Sequence, residues 1–156
     1  MYSIKRHIEP IIEKRAKSSK ALLLTGPRQV GKSTLLKHVF KSYNKVTFDD
    51  DILLAQASED PGLFILNNPA PLVIDEVQKC PSIFNRLKID LDESDENGRY
   101  VFSGSQKLQL MEGVSESLAG RVSIVELEGL SLREIYGVEF NRRFVPTEEY
   151  LKEREE

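Results

Sequence analysis

Apolar residues along this chain fall into short clusters separated by stretches of helical spacing. The clusters are Ala21-Leu22-Leu23-Leu24, Val46–Phe48, Leu72-Val73-Ile74, Tyr100-Val101-Phe102 and Val122–Leu127. Each predicts a strand, and the unbroken run Ala21–Leu24 predicts one covered on both faces. Between them, Ile4–Lys17 places Ile4, Ile8, Ile11, Ile12 and Ala16 on one helical face. Lys32 to about Lys41 does the same with Leu35, Leu36, Val39 and Phe40. Further helices are expected over Ile52–Ser58 and from Pro81-Ser82 through Phe84, Leu87 and Leu91. A short one, with Asp60 as N-cap, Pro61 in the first turn and Leu63, Phe64 and Leu66 apolar, lies between them. Helical turns are expected at Lys107–Met111 and Ser115–Leu118, and Ser131 caps a last helix at Leu132–Tyr136.

Strands alternating with helices predict a parallel sheet with helices on both faces, three layers in all. In such sheets ligands sit at the carboxyl ends of the strands. The chemically suggestive groups fall at those ends: Gly26 to Ser33, Asp49, Asp75-Glu76 and Ser105.

Gly26-Pro27-Arg28-Gln29-Val30-Gly31-Lys32-Ser33 fits the phosphate-loop pattern G-x-x-x-x-G-K-[ST] in full, with a strand before it and a helix after. Glycines let the backbone wrap around phosphate with its N–H groups inward, and the helix N-terminus adds partial positive charge. The expected nucleotide contacts run from Gly26 through Thr34. Lys32 is expected at the β- and γ-phosphates and the Ser33 hydroxyl on Mg²⁺. Arg28 reads equally as a phosphate or subunit contact and as a packing residue.

The strand Leu72-Val73-Ile74 delivers Asp75 and Glu76. Asp75 is expected to hold Mg²⁺, through a water. Glu76 is placed to orient or deprotonate an attacking water. The neighbouring acids Asp50 and Asp51 read as caps of the helix that follows. Ser105, after the fourth strand, reads either as a γ-phosphate sensor or as a helix N-cap. Arg121, before the fifth, reads either as an arginine that stabilises transition-state charge, in its own subunit or a neighbour's, or as a surface ion pair.

Length and composition narrow the setting. The 156 residues suit one domain, and no apolar run approaches bilayer thickness. With no secretory signal at the start, the cytoplasm is the expected location. Net charge is −3, carried by the acidic last ten residues, so the balance does not favour a nucleic-acid-binding surface. A small basic cluster, Lys14, Arg15, Lys17 and Lys20, reads as a solvated helix end ahead of a nucleic-acid contact. The single cysteine, Cys80, excludes an intrachain disulfide. Asn44-Lys45-Val46-Thr47 begins like a guanine reader but lacks its aspartate, and Glu76 after Asp75 is typical of ATPases. ATP is the expected nucleotide.

These blocks resemble the AAA-type ATPases of the AAA_14 group, whose members commonly carry a C-terminal DUF4143 domain. The resemblance rests on Ile4-Lys5-Arg6, the phosphate loop, Asp75-Glu76-Val77-Gln78, Phe102-Ser103-Gly104-Ser105, Ser115 to Val122, Glu126-Leu127 and Leu130-Ser131-Leu132-Arg133-Glu134. It implies a five-stranded P-loop fold of strand order 5-1-4-3-2 and ATPase activity. With Lys32, Ser33, Asp75 and Glu76 together, the expected function is an ATPase whose hydrolysis drives a conformational change in an attached or partner element. It also strengthens the sensor reading of Ser105 and a role for Arg121, in trans within a homo-oligomer. On this basis residues 1–137 are expected to form the ATPase domain. Residues 138–156 are expected to form a charged tail or the start of the C-terminal region, which this sequence lacks. Gln106-Lys107 departs from the small hydroxyl residues usual after Ser105.

Overall fold

The computed structural model describes residues 4–105, 114, 117–138, 148 and 152. The expected turn at Lys107–Met111, residues 115–116 and most of the charged tail lie outside the described residues. The chain divides into two compact units: residues 8–129, and residues 1–7 together with 130–156.

In the larger unit, β1 (Ala21–Thr25), β2 (Asn44–Thr47), β3 (Leu72–Asp75), β4 (Tyr100–Gly104) and β5 (Val122–Glu126) form one sheet. All its pairs are parallel, in the order β2-β3-β4-β1-β5, the expected order read from the other edge. Register aligns the carboxyl ends: Thr25 lies beside Gly104 and Glu126, and Thr47 beside Asp75.

Alternate strand residues feed two separate cores, as a period of two requires. Leu23, Phe48, Ile74 and Phe102 pack with Phe64 of α4 (Pro61–Asn67) and with Ile83 and Leu87 of α5 (Ile83–Glu93). Leu22, Leu24, Val73 and Val101 pack on the other face with Ile12 and Ala16 of α1 (Glu9–Ser18) and Leu35 and Leu36 of α2 (Lys32–Val39). The central strands β1 and β4 are buried throughout. The edge strands are not, since Asn44, Lys45 and Ile124 are exposed.

Three local details depart from the sequence expectation. The first helix begins at Glu9 rather than Ile4, because Pro10 lacks an N–H and its ring clashes with a helical carbonyl four residues back. The second strand ends at Thr47, and Phe48 turns into the core against Phe64, ring centroids 5.7 Å apart. In α4 the inward pair is Phe64 and Ile65, while Leu63 and Leu66 face solvent. The caps fall where expected. Asp50 accepts from the Ile52 and Leu53 amides ahead of α3 (Asp51–Glu59), and Asp60 accepts from Leu63 N.

In the smaller unit, Ser131 and Glu134 form a reciprocal capping box on α6 (Leu132–Tyr136). The Glu134 carboxylate also accepts from Arg6 Nε at 3.0 Å and His7 N at 2.8 Å.

Candidate functional site

The loop after β1 has an unusual backbone that its glycines permit. Gly26 has φ +148, and a Cβ there would stand 2.1 Å from the Leu127 carbonyl oxygen. Only glycine lets β1 enter the loop against the chain leaving β5. Gly31, at φ +93, caps α2, and Gln29 also has a positive φ of 63. The first bond of α2 runs from Leu35 N to Gly31 O at 2.9 Å. The Lys32, Ser33 and Thr34 amides therefore have no intrahelical acceptor and form an anion-binding helix start.

Lys32 is buried, and its Nζ donates to Gly26 O at 3.0 Å and Pro27 O at 2.6 Å. Burial pushes its ammonium below the ordinary lysine range, while the negative charges of Glu76 and Asp75 pull the other way. The lysine thus bonds the loop backbone and feels the charge of both carboxylates.

β3 ends at Asp75, which two donors orient. Ser103, fully buried in the neighbouring β4, donates its hydroxyl to Asp75 Oδ1, and Glu76 N donates to the same oxygen at 3.1 Å. Glu76 then takes a left-handed conformation, φ 54 and ψ 41, and turns the chain into a 3-10 turn at Val77–Lys79. Its Oε2 accepts from Gln78 Nε2 at 2.5 Å and Ser105 Oγ at 3.3 Å.

These groups border two cavities. The larger, about 730 Å³, is lined by Arg28, Gln29, Gly31, Lys32, Ser33, Thr34, Glu76, Gln78 and Ser105, with the Asp49–Lys79 ion pair at 2.6 Å also on its wall. Its size suits a small-molecule ligand. The second, about 380 Å³, has Ser33, Asp75, Thr47 and Asp49 among its lining. Among the described residues no group of three or more His, Cys, Asp or Glu gathers to hold a metal. One carboxylate and one hydroxyl, with both residues on one cavity, fit Mg²⁺. That ion takes few protein ligands and completes its shell from phosphate and water.

Of the predicted site residues, the structure gathers Lys32, Ser33, Thr34, Glu76 and Ser105 at one cavity and sets Asp75 on the adjoining one. Gly26 shapes the loop from beneath, Pro27, Arg28 and Gln29 are exposed on it, and Val30 packs toward the α1–α2 core.

Arg121 is not in this group. Its carbonyl accepts from Ala21 N, at the amino end of β1, whereas the loop leaves the carboxyl end. The two ends are separated by roughly 13 Å of strand. Its guanidinium pairs with Asp92, Nε to Oδ1 at 2.5 Å and Nη2 to Oδ2 at 3.0 Å. This is the surface ion pair that the sequence left open as one reading of Arg121, and a residue preceding β5 lies at the end of the parallel sheet opposite the loop. The basic cluster at the end of α1 is also partly engaged within the chain. Arg15 donates to Ser123 Oγ and Ile124 O, and Lys20 to Leu91 O.

Asp49, one of the groups at the strand ends, lines both cavities. No site role follows from the sequence positions of Ser103, Gln78 and Lys79; the order that sets β3 beside β4 is the signal that could have found Ser103.

A phosphate loop on an inner strand of a parallel sheet, with an Asp-Glu pair two strands away, defines the P-loop nucleotide-binding class. Within that class the chain belongs to the AAA domain family AAA_14, which it matches over residues 18–136. Two uncharacterized mycobacterial proteins, from Mycobacterium bovis and Mycobacterium tuberculosis, are each 41% identical to it over 115 residues, 73% of this chain. The matched region covers 26% of each, so the chain spans about a quarter of the length of these relatives. Among solved structures it is similar to Thermotoga maritima RuvB T158V, with a TM-score of 0.49 and 16% identity over 83% of this chain and 46% of that one. It is also similar to Saccharomyces cerevisiae RIF2, with a TM-score of 0.48 and 12% identity over 99% of this chain and 68% of that one. No helix among the described residues is long and apolar enough to cross a membrane.

Proposed function

We propose that this domain binds ATP with Mg²⁺ and hydrolyses it, and that turnover drives a conformational change in an attached or partner element. One observation carries the reading: Lys32, Glu76, Ser105 and the open amides of α2 converge on one cavity. Bound Mg²⁺ would supply positive charge that offsets the charge of the phosphates. Ser33 and Asp75 would hold it, with Ser103 fixing the Asp75 carboxylate. Lys32 would exchange the Gly26 and Pro27 carbonyls for phosphate oxygens, whose charge favours its ammonium. Glu76 would orient the attacking water and take its proton as the β–γ bridge breaks, and Ser105 would donate to a γ-phosphate oxygen.

The test is ATP and GTP hydrolysis with Mg²⁺ across a protein dilution series, with calorimetric binding alongside. Lys32→Ala is expected to lose nucleotide binding. Glu76→Gln is expected to keep ATP binding and lose turnover. Equal turnover in wild type and Glu76→Gln would remove the carboxylate from the mechanism, and absence of Mg-ATP binding at millimolar ligand would end the proposal.

A second reading, an ATP-binding module with little hydrolysis of its own, is favoured by the position of Arg121. Held by Asp92 at the far end of β5, Arg121 would act only on a neighbouring subunit's nucleotide. Turnover per subunit rising steeply with concentration, and losing that rise in Arg121→Ala, is the expected signature. High turnover by a dilute monomer would reject it.

A further inference from the structure

The turn that follows β3 joins two side chains only two positions apart. Glu76 adopts a left-handed backbone at φ 54, a conformation uncommon for a residue with a side chain. Val77 is fully buried and anchors the turn from below. The result is a close contact, Gln78 Nε2 to Glu76 Oε2 at 2.5 Å, on the wall of the phosphate cavity.

The other end of the Gln78 amide is less well served. Its Oε1 is buried and has no hydrogen-bond partner. Turning the amide over would not help, because it would set two acceptor oxygens against each other. The orientation is therefore dictated by the carboxylate. A buried acceptor left unsatisfied in a folded protein calls for a reason, and here the reason is the grip on Glu76.

We propose that Gln78 is a positioning residue that aims the Glu76 carboxylate into the phosphate cavity. The inference rests on the hydrolytic reading of the same site. Gln78 engages Oε2 and so fixes the plane of the carboxylate and the direction of Oε1. Ser105 shares Oε2 in this structure, at 3.3 Å. A serine hydroxyl has one proton to donate. When Ser105 gives that proton to a phosphate oxygen, Gln78 alone holds the carboxylate.

The experiment is a double-mutant cycle in kcat, with ATP binding measured separately by calorimetry. Gln78→Ala and Gln78→Met are expected to lower kcat on the order of 10²-fold, the cost of misplacing a reacting group by about an ångström. Methionine keeps most of the bulk and removes the donor, so equal losses in both variants separate the hydrogen bond from packing. The Kd for ATP is expected to stay within about twofold, and in the residual single-turnover rate of a Glu76→Gln background either substitution is expected to cost almost nothing more.

A direct readout avoids turnover altogether. The Gln78 side-chain amide signal in a nitrogen–proton correlation spectrum is expected to shift, and its exchange with solvent to quicken, in Glu76→Ala. Full turnover in Gln78→Met, equal losses with and without the Glu76 carboxylate, or an amide signal unmoved by Glu76→Ala would each overturn the assignment. Loss of hydrolysis altogether in the wild type would instead fault the proposed function and leave the spectroscopic test standing.

Discussion

Replacing Glu134 by glutamine removes a charge whose surroundings were built for it. The residue is 8% exposed. Its carboxylate accepts from Arg6 Nε at 3.0 Å, His7 N at 2.8 Å and Ser131 N at 2.8 Å. Burial pushes the carboxyl up, but the amides of Ser131 and His7 and the Arg6 guanidinium more than offset this, bringing it from 4.5 down to about 2. That depression is worth about 3 kcal/mol at neutral pH. Because the folded value lies below the unfolded one, the stabilisation is complete above the unfolded value. It fades as pH falls from about 4.5 toward 2, and about 2 kcal/mol is lost by pH 3. Amide hydrogen exchange at His7, Ser131 and Ile135, in wild type and Glu134→Gln, measures the local opening free energy. The gap between the two proteins should close by about 2 kcal/mol between pH 6 and pH 3, since glutamine does not titrate and the other carboxylates cancel. A gap that stays constant over that range would refute the claim that these donors select the ionised form.

Two further substitutions test the construction of the nucleotide site. Gly26→Ala would drive a Cβ to 2.1 Å from the Leu127 carbonyl oxygen. A stability loss of about 1–3 kcal/mol is expected in urea denaturation, together with weakened ATP binding; unchanged values of both would mean that the loop does not need glycine there. Ser103→Ala removes the hydroxyl that orients Asp75, and nucleotide affinity is expected to become about 10- to 100-fold less responsive to Mg²⁺. An unaltered magnesium titration would show that Asp75 needs no such support.

Much of the secondary structure was legible in the residue pattern, for local reasons. Short apolar clusters marked the strands, and Asp50, Asp60 and Ser131 marked helix starts because a capping carboxylate or hydroxyl bonds amides only two or three positions on. Errors arose where a single local rule was outweighed. Pro10 shortened a helix that apolar spacing had extended to Ile4, and in α4 the tertiary environment chose Ile65 over Leu63 and Leu66 for the core.

By itself, the sequence determined the phosphate loop, the Asp75-Glu76 pair and the alternating strands and helices, because each depends on contacts within a few residues. Only the tertiary structure decided which distant groups meet. Parallel pairing of β3 with β4 set Ser103 on Asp75, and the left-handed turn at Glu76 delivered that carboxylate to Gln78 and Ser105. The same sheet sent Arg121 to the opposite end, onto Asp92. In a parallel sheet every strand points the same way, so a residue before a strand and a residue after its neighbour end up a full strand length apart, however close their chemistry would suggest they belong.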